Sequence, residues 1–256
     1  MFFQKKIGGW RRSTSREAPR VPDGIRVYAI GDVHGRLDLL DQMLKRIEAD
    51  ITERNRARHQ LVMLGDIIDR GPESRGVIER LRTYSLDGTS PVLICGNHEE
   101  VLLRLLCGEH GILDSWLSFG GSEFLESYGL KSRDLTGMSE DAALAHVRHA
   151  IPLNHREFLD SSIDTVKIGD FLFVHAGIRP NVPLSVQSQK DLRWIRQPFL
   201  DDESDHGMVV VHGHTISAGV EQRLNRIGLD TGAYRSGRLS AVGLEGGRRW
   251  FLEATT

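Results

Sequence analysis

Asp32 and His34 stand two residues apart in Gly31-Asp32-Val33-His34-Gly35, so an extended turn can aim a carboxylate and an imidazole at one point. Alone the pair carries little, because Asp-x-His often arises by chance. Asp66 adds a second hard oxygen, Asn97 an amide oxygen without further charge, and His175 and His214 two more imidazoles. Each of the six follows a short apolar run, and a sheet that needed only packing would have no use for polar donors at so many strand ends. Mixed oxygen and imidazole donors suit manganese, iron or zinc better than calcium or a thiolate-seeking metal. The economical arrangement is two divalent cations bridged by Asp66, with manganese expected and iron or zinc as alternatives. A metal pair of this kind activates water for hydrolysis. On spacing alone, His212 fits the last donor position as well as His214 does.

The segments around these donors must hold them in place. Ile25–Ile30 is an apolar run that stops where the polar residues begin, and from Leu37 the residues Leu40, Leu44, Ile47 and Ile51 step by three and four, the period of one helix face. The same order recurs when apolar residues 61–64 lead through Asp66 to a helical stretch at 74–81, and when 92–95 lead through Asn97 to another at 101–106. Consecutive βα units imply a mainly parallel sheet with right-handed crossovers, whose ligands gather beyond the carboxyl ends of the strands. The three polar clusters should therefore converge. From 108 to 164 the pattern changes to helical pieces, which we expect to form an insertion flanking the site. The last third returns to short strands at 166–168, 171–174, 208–211, 226–229, 239–244 and 249–252, whose close spacing predicts hairpins and a second sheet.

Composition bounds the rest. With 256 residues, 39% hydrophobic and 27% charged, the chain suits one large α/β domain. Its net charge of −2 does not advertise nucleic acid as a partner. Cys95 and Cys107 lack partners at zinc or redox spacing, which favours free thiols and a cytoplasmic setting. No apolar run approaches the roughly 18 to 20 residues that span a bilayer. Residues 1–23 mix aromatic and basic side chains and are expected to form a flexible basic arm ahead of a single catalytic domain at 24–256. Oligomeric state is open at this level.

The donors fall in motifs: GDVHG at 31–35, GDIIDRG at 65–71, GNHE at 96–99, VHAG at 174–177 and HGHT at 212–215. Over roughly residues 25–245 the chain resembles the calcineurin-like metallophosphoesterases, specifically the serine/threonine phosphoprotein phosphatases with their small bacterial and phage members. The resemblance implies an α/β fold in which two sheets form an αββα sandwich with the metals at strand ends on one edge. It assigns Asp32, His34 and Asp66 to one metal and Asp66, Asn97, His175 and His214 to the other. Its Gly-His-Thr ending selects His214 over His212. Ile216 stands where broader metallophosphoesterases carry a further histidine, which with Asp69-Arg70-Gly71 leads away from nucleases and phosphodiesterases.

The expected activity is that of a serine/threonine protein phosphatase on a phosphorylated protein or peptide, by in-line attack of a metal-bridging hydroxide. A serine or threonine alkoxide leaves poorly and needs a proton. His98, beside Asn97, is the expected acid, and Asp69 resembles the family carboxylate that orients it. Arg70 offers a forked guanidinium to phosphate oxygens. Trp194-Ile195-Arg196 resembles the family's Trp-x-Arg element and points to Arg196 as a second clamp, with Arg193 as the fallback. The alternative activity is symmetrical diadenosine tetraphosphate hydrolysis, whose sister family shares the metal site and has GNHD where this chain has Glu99. A phosphate-binding scaffold without turnover would lack a ligand or the acid, and here every such position is filled.

Overall fold

The first apolar run forms strand β1 (Ile25–Ile30), and α1 (Leu37–Thr52) follows it in a computed structural model that describes residues 18–256. Next come β2 (Arg58–Met63), α2 (Ser74–Thr83), β3 (Val92–Leu93) and α3 (Asn97–Leu106). Four short helices then occupy the segment expected to be helical: α4 (Leu113–Trp116), α5 (Ser122–Ser127), α6 (Glu140–Ala150) and α7 (Leu153–Asp160). The remainder runs β4 (Thr165–Ile168), β5 (Phe171–Val174), α8 (Gln189–Trp194), β6 (Val209–His212), β7 (Glu221–Gln222), β8 (Arg226–Gly228), α9 (Ala233–Ser236), β9 (Arg238–Glu245) and β10 (Arg248–Thr255).

These strands make two five-stranded sheets, ordered β10-β9-β1-β2-β3 and β4-β5-β6-β8-β7. In the first, β1, β2 and β3 run parallel and the hairpin β9–β10 joins antiparallel to β1. In the second, β5, β6 and β8 run parallel, with β4 and β7 antiparallel at the edges. The expectation that the last third forms a separate sheet of hairpins is corrected twice. Its middle strands are parallel, and its last two belong to the first sheet.

Side-chain alternation explains the layering. Val27 and Ala29 of β1, Val62 of β2, and Val242 and Leu244 of β9 face Phe171, Phe173, Val209 and Val211 of the second sheet. The intervening residues Tyr28, Ile30, Leu61 and Met63 face the helices, where Leu40, Leu44 and Ile47 of α1 close the layer. On the far side, Leu172, Val174 and Val210 pack under Leu192, Ile195 and Phe199. The period of two on the strands and of 3.6 on α1 thus gives the helix–sheet–sheet–helix order.

The expected arm falls mostly on residues 1–17, outside the described residues. Its last residues do not hang free: the Val21 N–H donates to Gly246 O at 3.0 Å, and Asp170 N–H donates to Arg20 O at 2.9 Å. Val21 is fully buried between the sheets. The parallel strands of both sheets end along one edge, where Asp32, Asp66, Asn97, His175 and His214 follow β1, β2, β3, β5 and β6 in turn. Among the described residues, no helix is long and apolar enough to cross a membrane.

Candidate metal centre

The turns that carry the donors are bent sharply. His34, Asp66, Asp69, Arg70 and His214 have φ of 45°, 47°, 68°, 64° and 63°, a left-handed backbone that non-glycine residues adopt at a cost. Glu99 holds the Asp66 turn in shape. Its carboxylate accepts the N–H groups of Asp66 at 2.7 Å, Gly96 at 2.9 Å and Ile67 at 2.9 Å. The third helix begins at Asn97 and not at Val101 as its apolar pattern suggested, so Asn97 and His98 occupy its first positions. There the His98 N–H donates to Asp66 Oδ1 at 3.1 Å, and the positive end of the helix faces the Asp66 charge.

Hydrogen bonds at the far ring nitrogens orient two of the imidazoles. The His34 Nδ1–H donates to Ile68 O at 2.8 Å, turning Nε2 toward Asp66 Oδ2 at 3.6 Å. The His175 Nδ1–H donates to Leu64 O at 2.8 Å, so its Nε2 keeps a lone pair only 2.9 Å from Asn97 Oδ1 and 3.4 Å from Asp66 Oδ1. His214 Nδ1 lies 2.8 Å from the same Asn97 oxygen, while its Nε2 is buried without a partner. Lone pairs this close repel unless a proton or cation lies among them. Burial pushes the imidazoles of His34 and His214 down to about 3 and lowers that of His175 as well, which disfavours the proton.

Donor atoms therefore gather in two groups that share Asp66: His34, Asp66 and His98, and Asp66, His175 and His214, each within 4.8 Å. Asp32, also expected in the first group, faces the turn that carries His214. Its Oδ2 accepts the His214 N–H at 3.0 Å, and its Oδ1 is buried with no protein partner. Burial, then Asp230, then Asp66 raise its carboxyl well above the usual range. Neutral imidazoles, a shared carboxylate and an orphaned carboxylate oxygen are the donor set that two divalent cations satisfy. For Asp66 itself burial opposes the charge, yet His175, His98, His34 and His214 around it hold its carboxyl far below the usual range.

His98 differs from the other three. Its Nδ1–H donates to Asp69 Oδ2 at 2.7 Å, and although burial opposes the charge, Asp66 and Asp69 raise its imidazole above the ordinary value. Asp69 is fully buried, and the same oxygen accepts the Trp116 Nε1–H at 3.0 Å. Arg70 Nη1 donates to His34 Nε2 at 3.0 Å, and its guanidinium lies 4.9 Å over the Tyr234 ring. His212 ends β6 with its ring edge-on to Phe199 at 5.1 Å, away from both groups.

A cavity of 660 Å³ opens over the two groups. Asp66, Asn97, His98 and His214 line it with Arg70 and Arg196, and Trp116, Phe119, Trp194 and Tyr234 supply aromatic surface. Arg193, the fallback, is tied to Asp164 at 2.6 Å and to Glu100 at 3.5 Å. A larger cavity of 900 Å³ sits at the opposite ends of β1 and β2, near Arg58 and His59, and includes none of the expected donors. Trp116, Tyr234 and Asp230 were not singled out from sequence. Asp230 follows β8 at the same edge as the other donors, a signal of the kind that located Asp66, and burial pushes its carboxyl up to about 6.

The neutral imidazoles make a pH prediction for metal-free protein. His34 and His214 titrate near 3 when folded and near the ordinary 6.5 when unfolded, so below 6.5 the unfolded chain binds more protons. Their contribution to stability is present above 6.5 and is lost as pH falls toward 3. The melting temperature of His214→Asn should therefore depend less on pH between 6.5 and 4 than that of the parent, by several degrees; parallel curves would contradict it.

The family profile of the calcineurin-like phosphoesterases matches residues 25–237. A symmetrical bis(5'-nucleosyl)-tetraphosphatase of Methylococcus capsulatus is 31% identical over 154 residues, 60% of this chain and 44% of that one. The chain thus spans less than half the length of the first such relatives it matches. Serine/threonine-protein phosphatase 2 of Escherichia coli is 25% identical over 226 residues, 84% of this chain and 90% of that one. A solved structure provisionally assigned as a diadenosine tetraphosphatase superposes with a TM-score of 0.61 at 22% identity, covering 93% of this chain and 98% of that one, which speaks to fold alone. The match over most of the chain, on the fold and edge that bear the donors, makes this protein a member of the calcineurin-like phosphoesterase family.

Proposed function

We propose that the chain is a phosphomonoesterase of the protein phosphatase kind, acting on phosphoserine or phosphothreonine with two manganese ions. The observation that carries this reading is His98, bonded to a buried Asp69 and facing a cavity with an arginine on its wall. A proton donor matters most where the leaving group is an alkoxide. The alignment with the Escherichia coli phosphatase over 90% of its length supports the same reading.

In this reading Asp32, His34, Asp66, Asn97, His175 and His214 hold the metals, which when bound supply an activated water and neutralise phosphoryl charge. Arg70 and Arg196 bind the remaining phosphoryl oxygens. His98 Nε2 holds a proton toward the leaving oxygen while Asp69 fixes the ring. Burial of Asp69 and His98 keeps bulk water from competing for that proton. The free thiols Cys95 and Cys107 go with a cytoplasmic location.

Symmetrical diadenosine tetraphosphate hydrolysis is the second reading, favoured by the relatives of that activity and by the aromatic lining on which bases could stack. Metal-stripped protein restored with manganese, assayed on a phosphoserine peptide and on diadenosine tetraphosphate at equal concentration, separates the two. Manganese-dependent release from the peptide is expected to dominate. Preferential cleavage of the dinucleotide would move the function to the second reading.

A further inference from the structure

The segment between α4 and α5 touches the catalytic turn at two points. Trp116 ends α4, and its indole N–H donates to Asp69 Oδ2 at 3.0 Å, the same oxygen that accepts His98 Nδ1–H at 2.7 Å. Leu117–Gly121 then make one wide turn with Gly120 at φ 117°. That turn brings Gly120 O to 3.1 Å from the Arg70 N–H, which donates to it. The approach requires glycine, since a Cβ at residue 120 would stand 2.5 Å from Arg70 N. Gly121 lies flat against the indole, where a Cβ would meet Trp116 Cδ2 at 2.4 Å. Both ends of the pair Asp69-Arg70 are thus braced by one short segment from outside the strand-end turns.

The chemistry at Asp69 is specific. Trp116 is nearly fully buried, and an indole N–H in such a place needs an acceptor. It has taken one oxygen of a buried carboxylate whose other oxygen, Oδ1, has no partner. Two donors from different directions on one oxygen fix the rotation of the carboxyl group. With that oxygen fixed, the His98 ring can point its Nδ1–H in only one direction, and the direction of Nε2 follows. We propose that Trp116 is a positioning residue for proton transfer, holding Asp69 so that His98 Nε2 meets the leaving oxygen. The proposal rests on the reading of His98 as the proton donor.

The test uses the full-length chain loaded with manganese and two substrates, p-nitrophenyl phosphate and a phosphoserine peptide. Nitrophenolate departs without a proton and the serine alkoxide does not. In Trp116→Phe, kcat on the peptide is expected to fall about ten- to a hundredfold, kcat on nitrophenyl phosphate less than about threefold, and KM on neither substrate to move, the size seen when a supporting hydrogen bond is lost. Trp116→Met, a second variant without the donor, should give the same split if the phenylalanine variant does not fold. Phe124, whose ring meets that of Trp116 edge-on at 5.7 Å, provides the packing control. Phe124→Leu loosens the same contact without touching Asp69 and should lower the melting temperature while scaling both rates alike.

Equal losses on both substrates in the Trp116 variants, or the same split in Phe124→Leu, would overturn the proposal. So would additivity: Asp69→Asn with Trp116→Phe should be no slower on the peptide than Asp69→Asn alone. His98→Asn provides the remaining arm. If that variant slows both substrates equally, the reading of His98 as proton donor fails, a result distinguishable from a failure at Trp116 alone.

Discussion

Asp66→Ala is expected to lose manganese from both sites at once and to lose turnover with it. Asp66 is the carboxylate common to the two donor groups, and its charge is the one that His175, His98, His34 and His214 all face. Metals of this kind contribute several kcal/mol of charge stabilisation to the transition state, and each loss of about 1.4 kcal/mol is tenfold, so a fall of at least about a thousandfold in kcat is expected. Metal content per chain is the decisive readout, because a folded variant that kept one metal at full occupancy would show that Asp66 is not shared.

His98→Asn should do the opposite with metal: content unchanged, kcat on a phosphoserine peptide down by about a hundred- to ten-thousandfold. His98 counts among the close donors by distance, at 3.9 Å from Asp66 Oδ2, so geometry alone leaves it a candidate ligand. The charges around it set it apart from the other three imidazoles. Burial lowers the imidazoles of His34, His175 and His214, whereas Asp66 and Asp69 outweigh burial at His98 and favour its protonated form. A protonated imidazole is an acid and a poor ligand, and groups pushed apart in this way mark their separate tasks. Because the protonated form is the active one, kcat of the parent should decline as pH rises through the raised value of His98, and that alkaline limb should be missing from His98→Asn. Loss of metal in the variant would make His98 a ligand and sink the assignment.

The candidate donors Asp32, Asp66 and Asn97 were legible because each interrupts an apolar run at the end of a strand. No packing pattern explains a polar residue there. The same logic reached His175 and His214, and it could equally have reached Asp230, which was passed over because no motif drew attention to it. The pairing of β9 with β1 was not legible. Its partners lie some two hundred residues apart in the chain, as at Val27 and Leu244, and alternation along β9 looks the same whichever sheet it joins. The start of α3 was misplaced for a related reason. Asn97 and His98 point into the site and so break the apolar period that marks the rest of the helix.

Trp116 was hidden more thoroughly, because an aromatic residue at helical spacing normally signals core. Most of its ring does pack there, against Phe124. Only the Gly120-Gly121 pair one turn on marks a place where something approaches the backbone closely. What that was could not be known without the position of Arg70. Arg193 and Arg196 likewise differ by neighbours absent from the local sequence, since Asp164 and Glu100 engage the first while the second lines the cavity.

The left-handed backbone at His34, Asp66, Asp69, Arg70 and His214 bears on how such a protein can decay. Each such residue costs on the order of 1 kcal/mol relative to a glycine in the same conformation. A glycine at any of these positions would relieve backbone strain while removing a working side chain, and at Asp66 it would also dissolve a crowd of buried charge. The strain in these turns is therefore a local cost of placing the donors, separate from the packing that holds the two sheets together.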